Sequence, residues 1–509
     1  MSMMPPENAP APSARTLPSS DKYGDQRRIG IRWLAFLHLV YTAVAFYWLS
    51  PSQSASGDFV DYTYTLCLVF TASVAWLAVS CYLACRSVYH PYFLFLLSAV
   101  LFNGGQLFSR AFRLTELEIA LGRFSQPTLQ ATIILTLECL LSLHLGILFY
   151  LLVRRTSSSR RSYDDLRVSQ AVAQTGYGLM LCTAVPYALL VIHQLRASAG
   201  GYEGLYTRDT SFLSSIEGVG GNLYLSGLIF ALAGSTWRRL PSKTLLVLTA
   251  LDIGVSLFVG NRARAMMLLC GFLFVWTRRV GRIPRFVTVG LLVGATVTLS
   301  VVAVARNFPA GERIAAIRSI SRMPEKSNAA FAVLQDMGTT FSATAYTVEL
   351  VPQDRKFEWG MTYARSVLFL TPGLGRILNS SEKPVQLAAW LIGEVDPVGA
   401  ANNGGIGFSY IAEAYLNFGM FGAPIACSVI GFLIALLFFR GDDAFSVAVS
   451  GCALLCMPFF PRDESVVILR AVVWQCILPA IAAKMAVQTM RAKPRATADS
   501  SPFGLTQQG

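Results

Sequence analysis

The sequence predicts an all-α polytopic membrane protein with a long helical loop on the outer side of the membrane. Of its 509 residues, 54% are hydrophobic and only 14% are charged, whereas soluble domains carry about 25% charged residues. The mean hydropathy is +0.50. A helix that crosses the hydrocarbon core needs about 20 apolar residues, and stretches of this kind predict about twelve transmembrane helices. They lie near residues 31–50, 60–84, 92–109, 127–153, 170–195, 218–236, 243–260, 265–277, 286–305, 420–439, 443–460 and 466–485.

These stretches divide the chain into five segments. Residues 1–25 are rich in Pro, Ser and Ala and predict a disordered cytoplasmic tail instead of a signal peptide, because no apolar core with a cleavage site follows. Residues 26–305 form a membrane domain of about nine helices. Residues 306–419 form a loop domain on the outer side of the membrane, and 420–485 hold the C-terminal transmembrane helices. Residues 486–509 form a second disordered cytoplasmic tail.

The net charge of +13 is explained by membrane topology. Basic pairs, such as those at 154–155 and 278–279, fall on one side of the predicted spans, and this bias places both termini in the cytoplasm. Because no nucleic-acid module is visible, nucleic acid is excluded as a partner. All ten cysteines fall in predicted spans, where packing is the simplest role, and no metal site is expected.

The outer segment 306–419 predicts a folded cap over a cavity. Helical periodicity runs through 313–323 and again from 329 to about 348, and turns follow at Pro352, 371–375 and 396–397. A loop of this length with its own helices is usually functional. The opposite side offers neither a phosphate-binding glycine loop nor a nucleotide fold, so we expect no use of ATP or a nucleotide-sugar.

Arginines near this outer face are candidate phosphate ligands, because the guanidinium group binds phosphate oxygens with two parallel donors. Arg262 and Arg264 lie in a tight turn that has no acidic neighbour in the sequence. Arg306 and Arg313 continue the basic face towards Arg318 and Arg322. The simpler alternatives are contact with lipid headgroups for the first pair and a solvated, salt-bridged helix face for the others.

The start of the tenth span combines polar and aromatic residues. On a helix, Tyr410, Glu413 and Asn417 share one face. Glu413 is the leading candidate for a general base, although it could instead cap a helix or pair with an arginine. The weaker carboxylate candidates in the outer segment are Asp336, Glu349, Glu394 and Asp396. Inside the spans, Glu138, His144 and Asp252 predict either a proton path or, with more weight, hydrogen bonds to neighbouring helices.

The residues from Ser409 to Gly419 follow the pattern Ser-x-x-Ala-Glu-x-Tyr-x-Asn-Phe-Gly, which resembles the signature of Wzy-type O-antigen and exopolysaccharide repeat-unit polymerases. Three further stretches fit this family in the same order: 260–262, 338–352, and 360–363 followed by Pro372. The likeness covers about residues 200–480. It is specific in the C-terminal signature and loose in the N-terminal spans, and Arg264, close after the family-like Gly-Asn-Arg, departs from the pattern.

The resemblance implies a polysaccharide polymerase in the bacterial inner membrane, folded as an integral-membrane glycosyltransferase. Such an enzyme joins oligosaccharide repeat units carried on undecaprenyl diphosphate at the periplasmic face and needs neither metal nor cofactor. It implies Glu413 and Arg262 as catalytic residues, and a flippase and a chain-length regulator as possible partners. The residues expected to bind the substrate are Arg264, Arg306, Arg313, Tyr410, Asn417 and Tyr363.

Two alternatives stay open. An O-antigen ligase uses the same lipid-linked donor and has a similar topology, and only the 409–419 signature favours the polymerase. A transporter or flippase of lipid-linked sugars is the second alternative, although such proteins usually show internal repeats and broken helices at the membrane midplane.

Overall fold

The structure, a computed structural model, describes residues 20–48, 59–113, 121–154, 165–200, 212–235, 240–305, 308–309, 311–320, 329–370, 386–401 and 405–492. These residues are mostly helical, and none of them lies in a β-strand. The predicted all-α fold class is therefore confirmed.

Among the described residues, nine α-helices precede the loop segment. They are α1 (Ser20–Trp48), α2 (Phe59–Cys85), α3 (Pro91–Ala111), α4 (Gln126–Val153), α5 (Asp165–Ala197), α6 (Phe212–Gly234), α7 (Leu240–Val259), α8 (Arg262–Arg279) and α9 (Arg285–Ala305).

The loop segment and the C-terminal spans complete the described chain. The loop helices are α10 (Arg313–Ile320), α11 (Ala329–Gly338), α12 (Thr340–Leu350), α13 (Met361–Leu368), α14 (Leu387–Val395) and α15 (Pro397–Ala401). The C-terminal helices are α16 (Tyr410–Phe438), α17 (Ala444–Ala453), a 3₁₀ turn (Met457–Arg462), α18 (Ser465–Val472) and α19 (Leu478–Ala492), with a π-helical turn (Val473–Ile477) joining the last two.

Ten described helical stretches are long and apolar enough to cross a membrane. The two other predicted spans are also helical in the structure. One is α8, which carries arginines at both of its ends, and the other is α9, where the apolar stretch Arg285–Thr298 is shorter than a full span. The figure of about twelve spans stays a prediction for these two helices.

The tenth predicted span begins earlier than the hydropathy suggests. We expected it to start at 420, but α16 begins at Tyr410, where the Ser409 hydroxyl accepts a hydrogen bond from the Ile411 N–H (3.2 Å). Gly419 interrupts the helical backbone with φ 66° and ψ −167°. The signature therefore forms its own helical rod of about ten residues, which the kink separates from the apolar remainder of the span.

Helices α4 and α16 form the centre of the bundle. A Cβ atom added to Gly146 would lie 1.9 Å from the Ser428 carbonyl oxygen, and one added to Gly431 would lie 2.1 Å from that of Leu143. The two backbones are thus in direct contact, as small residues permit between membrane helices. This contact fixes the part of α16 that follows the Gly419 kink relative to α4.

We call the end of the bundle that carries Gly260, Ser409 and Ser465 the loop end, and the opposite end, which carries Arg154 and Arg278, the basic end. The loop helices pack on the loop end. In α11, a Cβ atom at Gly338 would lie 2.6 Å from the Gln106 backbone nitrogen of α3. The predicted helix at 329–348 is in fact the two helices α11 and α12, which meet beside Gly338.

Candidate functional site

The signature is attached at its first residue to two other elements of the loop end. The Ser409 hydroxyl, which caps α16, donates a hydrogen bond to Asn103 Oδ1 of α3 (2.9 Å). Asn103 Nδ2 in turn donates to the Pro461 carbonyl oxygen in the 3₁₀ turn (3.4 Å). Ser409 and Asn103 are both fully buried, so α3, α16 and the 3₁₀ turn are held together beneath the surface.

Glu413 lies inside this junction and is only 1% exposed. Its Oε1 accepts hydrogen bonds from the Thr362 hydroxyl (2.8 Å) and the Ser465 hydroxyl (2.6 Å), and its Oε2 accepts one from the Ser465 N–H (2.7 Å). The carboxylate thus joins α13 to the start of α18. Charge-assisted hydrogen bonds of this kind are among the strong ones in proteins. Of the two roles expected for Glu413, general base or structural partner, these three contacts favour the structural one.

Asn417 holds the other end of the same helical face. Its Oδ1 accepts a hydrogen bond from the Gly360 N–H (2.8 Å), and its Nδ2 donates to Thr362 Oγ1 (2.6 Å) and to the Glu413 carbonyl oxygen (2.7 Å). Glu413 and Asn417 therefore both contact Thr362, as their four-residue spacing predicts for one helix face.

The kink at Gly419 gives the loop segment further attachment points. Since the backbone leaves helical geometry there, the carbonyl oxygens of Leu416 and Asn417 are available to accept hydrogen bonds from the N–H groups of Glu358 (3.0 Å) and Trp359 (3.1 Å). Side chain and backbone of the signature thus both bind the segment that leads into α13.

Tyr410 and Tyr363 take different positions from Asn417. Tyr410 is fully buried with its ring against that of Phe460 (5.3 Å between centroids), while the Tyr363 ring stacks on that of Phe418 (6.2 Å). Neither hydroxyl has a hydrogen-bond partner among the described residues. Burial raises the pKa of Tyr363 well above its usual range, and the Glu413 carboxylate raises it further. The Tyr363 phenol therefore stays protonated and can donate a hydrogen bond.

The arginine turn between α7 and α8 has acidic partners in space that it lacks in the sequence. Arg262 forms an ion pair with Asp336 of α11 (2.8 Å), and the Asp336 side chain is 42% exposed. Arg264 turns towards the bundle and pairs with Asp252 of α7 (3.2 Å), with its guanidinium over the ring of Tyr187. The two arginines thus occupy different sites: Arg262 near the loop-end surface, and Arg264 between helices.

Arg313 is buried and bonded to backbone. Its guanidinium donates to the carbonyl oxygens of Phe308 (3.2 Å), Phe258 (2.6 Å) and Ser198 (2.6 Å), and burial lowers its pKa. It therefore ties the ends of α5 and α7 to the loop segment. Arg306 and Arg322 lie outside the described residues, so the structure says nothing about their predicted roles.

Two of the three polar candidates inside the spans, His144 and Asp252, have hydrogen-bond partners on neighbouring helices, as the favoured interpretation predicts. His144 bonds the Ser80 hydroxyl (2.7 Å) and the Tyr92 hydroxyl, and Asp252 accepts from Tyr187 and Arg264. Among the weaker carboxylate candidates, Asp396 accepts from the Gly399 N–H within its own turn (2.9 Å), and Glu349 is exposed.

The structure adds residues that the sequence reasoning missed. Thr362 and Ser465 complete the Glu413 contacts, and the charged run Arg462-Asp463-Glu464 lies beside them at the loop end. Burial raises the pKa of Glu464 to about 8 and that of Asp463 to about 7. The signal available in the sequence was three consecutive charged residues between two apolar spans.

The signature and the helix that carries Asp336, the ion-pair partner of Arg262, both pack against α3. Near its loop end, α3 contacts Ser409 and Pro461 through Asn103, and it contacts α11, which carries Asp336, through Gln106. Asn103 and Gln106 are three residues apart and so face the same side. Within the described ranges, no three His, Cys, Asp or Glu side chains are arranged to hold a metal ion, and metal independence stays a prediction.

Comparison with known proteins gives one match. A family model described as O-antigen polysaccharide polymerase Wzy matches residues 31–493, which is nearly the whole chain. No curated protein and no solved structure matches the chain.

Proposed function

Since the chain belongs to the O-antigen polysaccharide polymerase Wzy family, we propose that it joins repeat units carried on undecaprenyl diphosphate at the periplasmic face of the bacterial inner membrane. The family acts on lipid-linked oligosaccharide repeat units in a membrane, and the many apolar helices of this chain agree with a multi-pass membrane enzyme. The observation that carries the proposal is the family match over residues 31–493.

The reaction that we propose transfers the growing glycan from its carrier to the next repeat unit. The bond between the anomeric carbon of the glycan and the diphosphate oxygen breaks, and a hydroxyl of the acceptor sugar forms the new glycosidic bond. Negative charge grows on the leaving diphosphate, and positively charged groups fixed beside it lower the barrier. The acceptor hydroxyl loses its proton, for which a positioned carboxylate provides about 10²–10⁴-fold acceleration.

Arg262 is the arginine of the predicted set whose position best suits the diphosphate. It lies at the loop end, and its partner Asp336 is partly exposed, so the pair is accessible to a ligand at the surface of the bundle. Arg264 and Arg313 are engaged with Asp252 and with backbone carbonyls. We propose that these two residues support the shape of the site.

The signature at 409–419 supports the proposal in a different way. Glu413 and Asn417 bind the loop segment to α16 and α18, so the signature holds these elements in a fixed arrangement at the loop end. Rigid supporting contacts are what a catalytic site needs to keep its reacting groups within fractions of an ångström.

The test is chain growth on defined substrates. The purified protein is reconstituted in lipid vesicles with lipid-linked repeat units on the side of the loop end, and products are separated by size. We expect a ladder of longer lipid-linked glycans and release of the lipid diphosphate. Movement of the lipid across the vesicle membrane without chain growth would contradict the proposal and favour a flippase.

A second experiment separates the polymerase from an O-antigen ligase. Cells that lack a polymerase attach a single repeat unit to the final acceptor, whereas cells that lack a ligase accumulate long lipid-linked chains. We expect the single repeat unit. Accumulated long chains would assign the chain to the ligase reaction.

A further inference from the structure

The segment 461–465 crosses the loop end between the 3₁₀ turn and α18, and neighbouring elements hold its first half by the backbone. The Pro461 carbonyl oxygen accepts from Asn103 Nδ2 (3.4 Å), and the Arg462 carbonyl oxygen accepts from the Phe408 N–H (3.4 Å). Asn103 and Phe408 are both fully buried. Since Phe408 directly precedes Ser409, the Arg462 backbone is bonded to the residue that leads into the signature.

The second half of the segment is held by carboxylates. The Glu464 Oε2 atom accepts a hydrogen bond from the Leu387 N–H at the start of α14. The N–H and hydroxyl of Ser465 both donate to Glu413. Glu464 and Glu413 are 2% and 1% exposed. Both carboxylates therefore lie beneath the surface, and a substrate at the surface does not reach Glu413.

Asp463 lies between these attachment points and is only partly buried. Its Oδ1 accepts from the adjacent Glu464 N–H (3.0 Å). Its Oδ2 has no hydrogen-bond partner in the part of the chain that the structure describes. Of the neighbouring carboxylates Glu413, Asp463 and Glu464, Asp463 is the one that is not fully buried, so its second oxygen is open to accept a proton.

Arg462 is the neighbouring cation. Its guanidinium makes no hydrogen bond or ion pair with any described residue, in contrast to Arg262, which pairs with Asp336. The side chain lies against Gly407 of the signature loop, where an added Cβ would be 3.4 Å from Arg462 Nε and 3.5 Å from its Cγ. Gly407 has φ +73°, a conformation that favours glycine. The left-handed turn at Gly407 therefore lies within ordinary van der Waals distance of this arginine.

On the basis of the polymerase function proposed above, we propose that Asp463 and Arg462 are the residues of this loop that touch the substrates. Asp463 accepts the proton of the attacking sugar hydroxyl, and Arg462 binds the diphosphate of the donor. Glu413 is then a positioning residue, which acts by fixing Ser465 two residues from Asp463.

The step balances without any further reactant. The acceptor oxygen forms a bond to the anomeric carbon, and its proton moves to Asp463 Oδ2. The bond from the anomeric carbon to the diphosphate breaks, and its electron pair stays on the diphosphate oxygen, where Arg462 faces it. Adjacent groups of opposite charge in one rigid loop hold the two reacting oxygens close together.

The electrostatic setting supports this assignment of the base. Burial raises the pKa of Asp463, with opposing contributions from the Glu464 N–H and from Arg462 and a further increase from Glu413, to about 7. A base with a pKa near the working pH is well matched to its task. Because the base acts when deprotonated, kcat/KM rises with pH up to about 7 and then levels off.

The first test replaces Asp463 by Asn in the full-length protein, reconstituted as described above. We expect kcat to fall by about 10²–10⁴-fold with little change in KM, and the acid limb of the pH profile to disappear. The matched control is Asp442→Asn, because Asp442 is 77% exposed and pairs with Arg278 at the basic end. Asp463→Glu, which keeps a carboxylate, should recover part of the rate.

Glu464 also titrates in this range, since burial raises its pKa to about 8, and it needs its own variant. In Glu464→Gln, the acid limb near pH 7 should remain, whereas in Asp463→Asn it should be lost. An acid limb that survives in Asp463→Asn, or a rate within threefold of wild type, overturns the assignment of Asp463.

The second test concerns Arg462. Arg462→Ala should raise KM for the diphosphate-linked donor by about 10²-fold, because it removes hydrogen bonds to a charged group, and Arg462→Lys by less. Farnesyl diphosphate, used as a soluble probe, should inhibit the wild type and should lose most of this inhibition in Arg462→Ala. Arg278→Ala, at the basic end, is the control.

The outcomes also separate this inference from the proposed function. If the wild type elongates lipid-linked repeat units while the Asp463 and Arg462 variants match it, the inference fails and the polymerase function stands. If the wild type itself does not elongate them, the proposed function fails. Equal inhibition of wild type and Arg462→Ala by farnesyl diphosphate removes Arg462 from the donor site.

Discussion

Replacing Glu413 by Ala removes the acceptor of three hydrogen bonds, from the Thr362 hydroxyl, the Ser465 hydroxyl and the Ser465 N–H. All three donors would be left in a nearly dry junction, since Glu413 is 1% exposed. A hydrogen bond to a charged group contributes about 1.5–3 kcal/mol, so the free energy of unfolding should fall by about 5 kcal/mol.

Glu413→Gln is the milder change. The amide oxygen can still accept from the Ser465 N–H, and the amide nitrogen can donate to the Ser465 hydroxyl, which is able to accept. The Thr362 hydroxyl, which already accepts from Asn417 (2.6 Å), loses its acceptor. We expect a loss of about 2 kcal/mol from this one donor.

Thermal unfolding in detergent measures both changes. With about 2.1 cal/mol/K of unfolding entropy per residue, a chain of this size loses about 1 °C in Tm per kcal/mol, so we expect decreases of about 5 °C for Ala and about 2 °C for Gln. Glu349→Ala, at an exposed position of α12, is the control and should leave Tm unchanged. A Tm for Glu413→Ala within 1 °C of wild type would refute the positioning role.

Three further substitutions test other contacts. Gly407→Ala should reduce chain elongation by about tenfold, because a side chain at φ +73° strains the backbone that leads into the signature beside Arg462; Gly405→Ala, where a Cβ meets nothing within 4 Å, is the comparison, and equal elongation rates in the two variants would contradict the strain. Arg313→Gln should lower Tm by about 3 °C, since three carbonyl oxygens lose a charged donor, and an unchanged Tm would show that these bonds are dispensable. Arg262→Ala should abolish elongation with Tm within about 1 °C of wild type, because its partner Asp336 is 42% exposed and ion pairs near the surface contribute about 0–1 kcal/mol; normal-length glycan would remove Arg262 from the site.

The parts of this protein that follow from sequence are those governed by local periodicity. Apolar stretches predicted the all-α membrane fold, and the spacing of Glu413 and Asn417 predicted their shared face, which the common contact with Thr362 confirms. Hydropathy placed the start of this span at 420 and not at Tyr410, because the polar side chains of the signature interrupt the apolar run by which a span is recognised.

The contacts between distant residues did not follow from sequence. Arg262 and Asp336 are 74 residues apart, and Arg264 meets Asp252 across the turn between two helices. Nothing in the local pattern of either arginine identifies its partner, because the pairing depends on how α7, α8 and α11 pack. For this reason the turn has no acidic partner in the local sequence, whereas in the structure each of its two arginines forms an ion pair.

The kink at Gly419 has a consequence for how the protein meets bilayers of different thickness. Below the kink, α16 faces lipid, with Phe421 91% and Ile425 69% exposed. Helices adapt to a thicker or thinner hydrocarbon core by tilting. Beyond Gly419, however, α16 packs by its backbone against α4 at Gly146 and Gly431, so such a tilt would move the two helices together. Because the helical backbone is broken at Gly419, the upper rod is not a rigid continuation of that pair and can stay fixed to the loop segment. A change in bilayer thickness is then transmitted less directly to the geometry at the loop end.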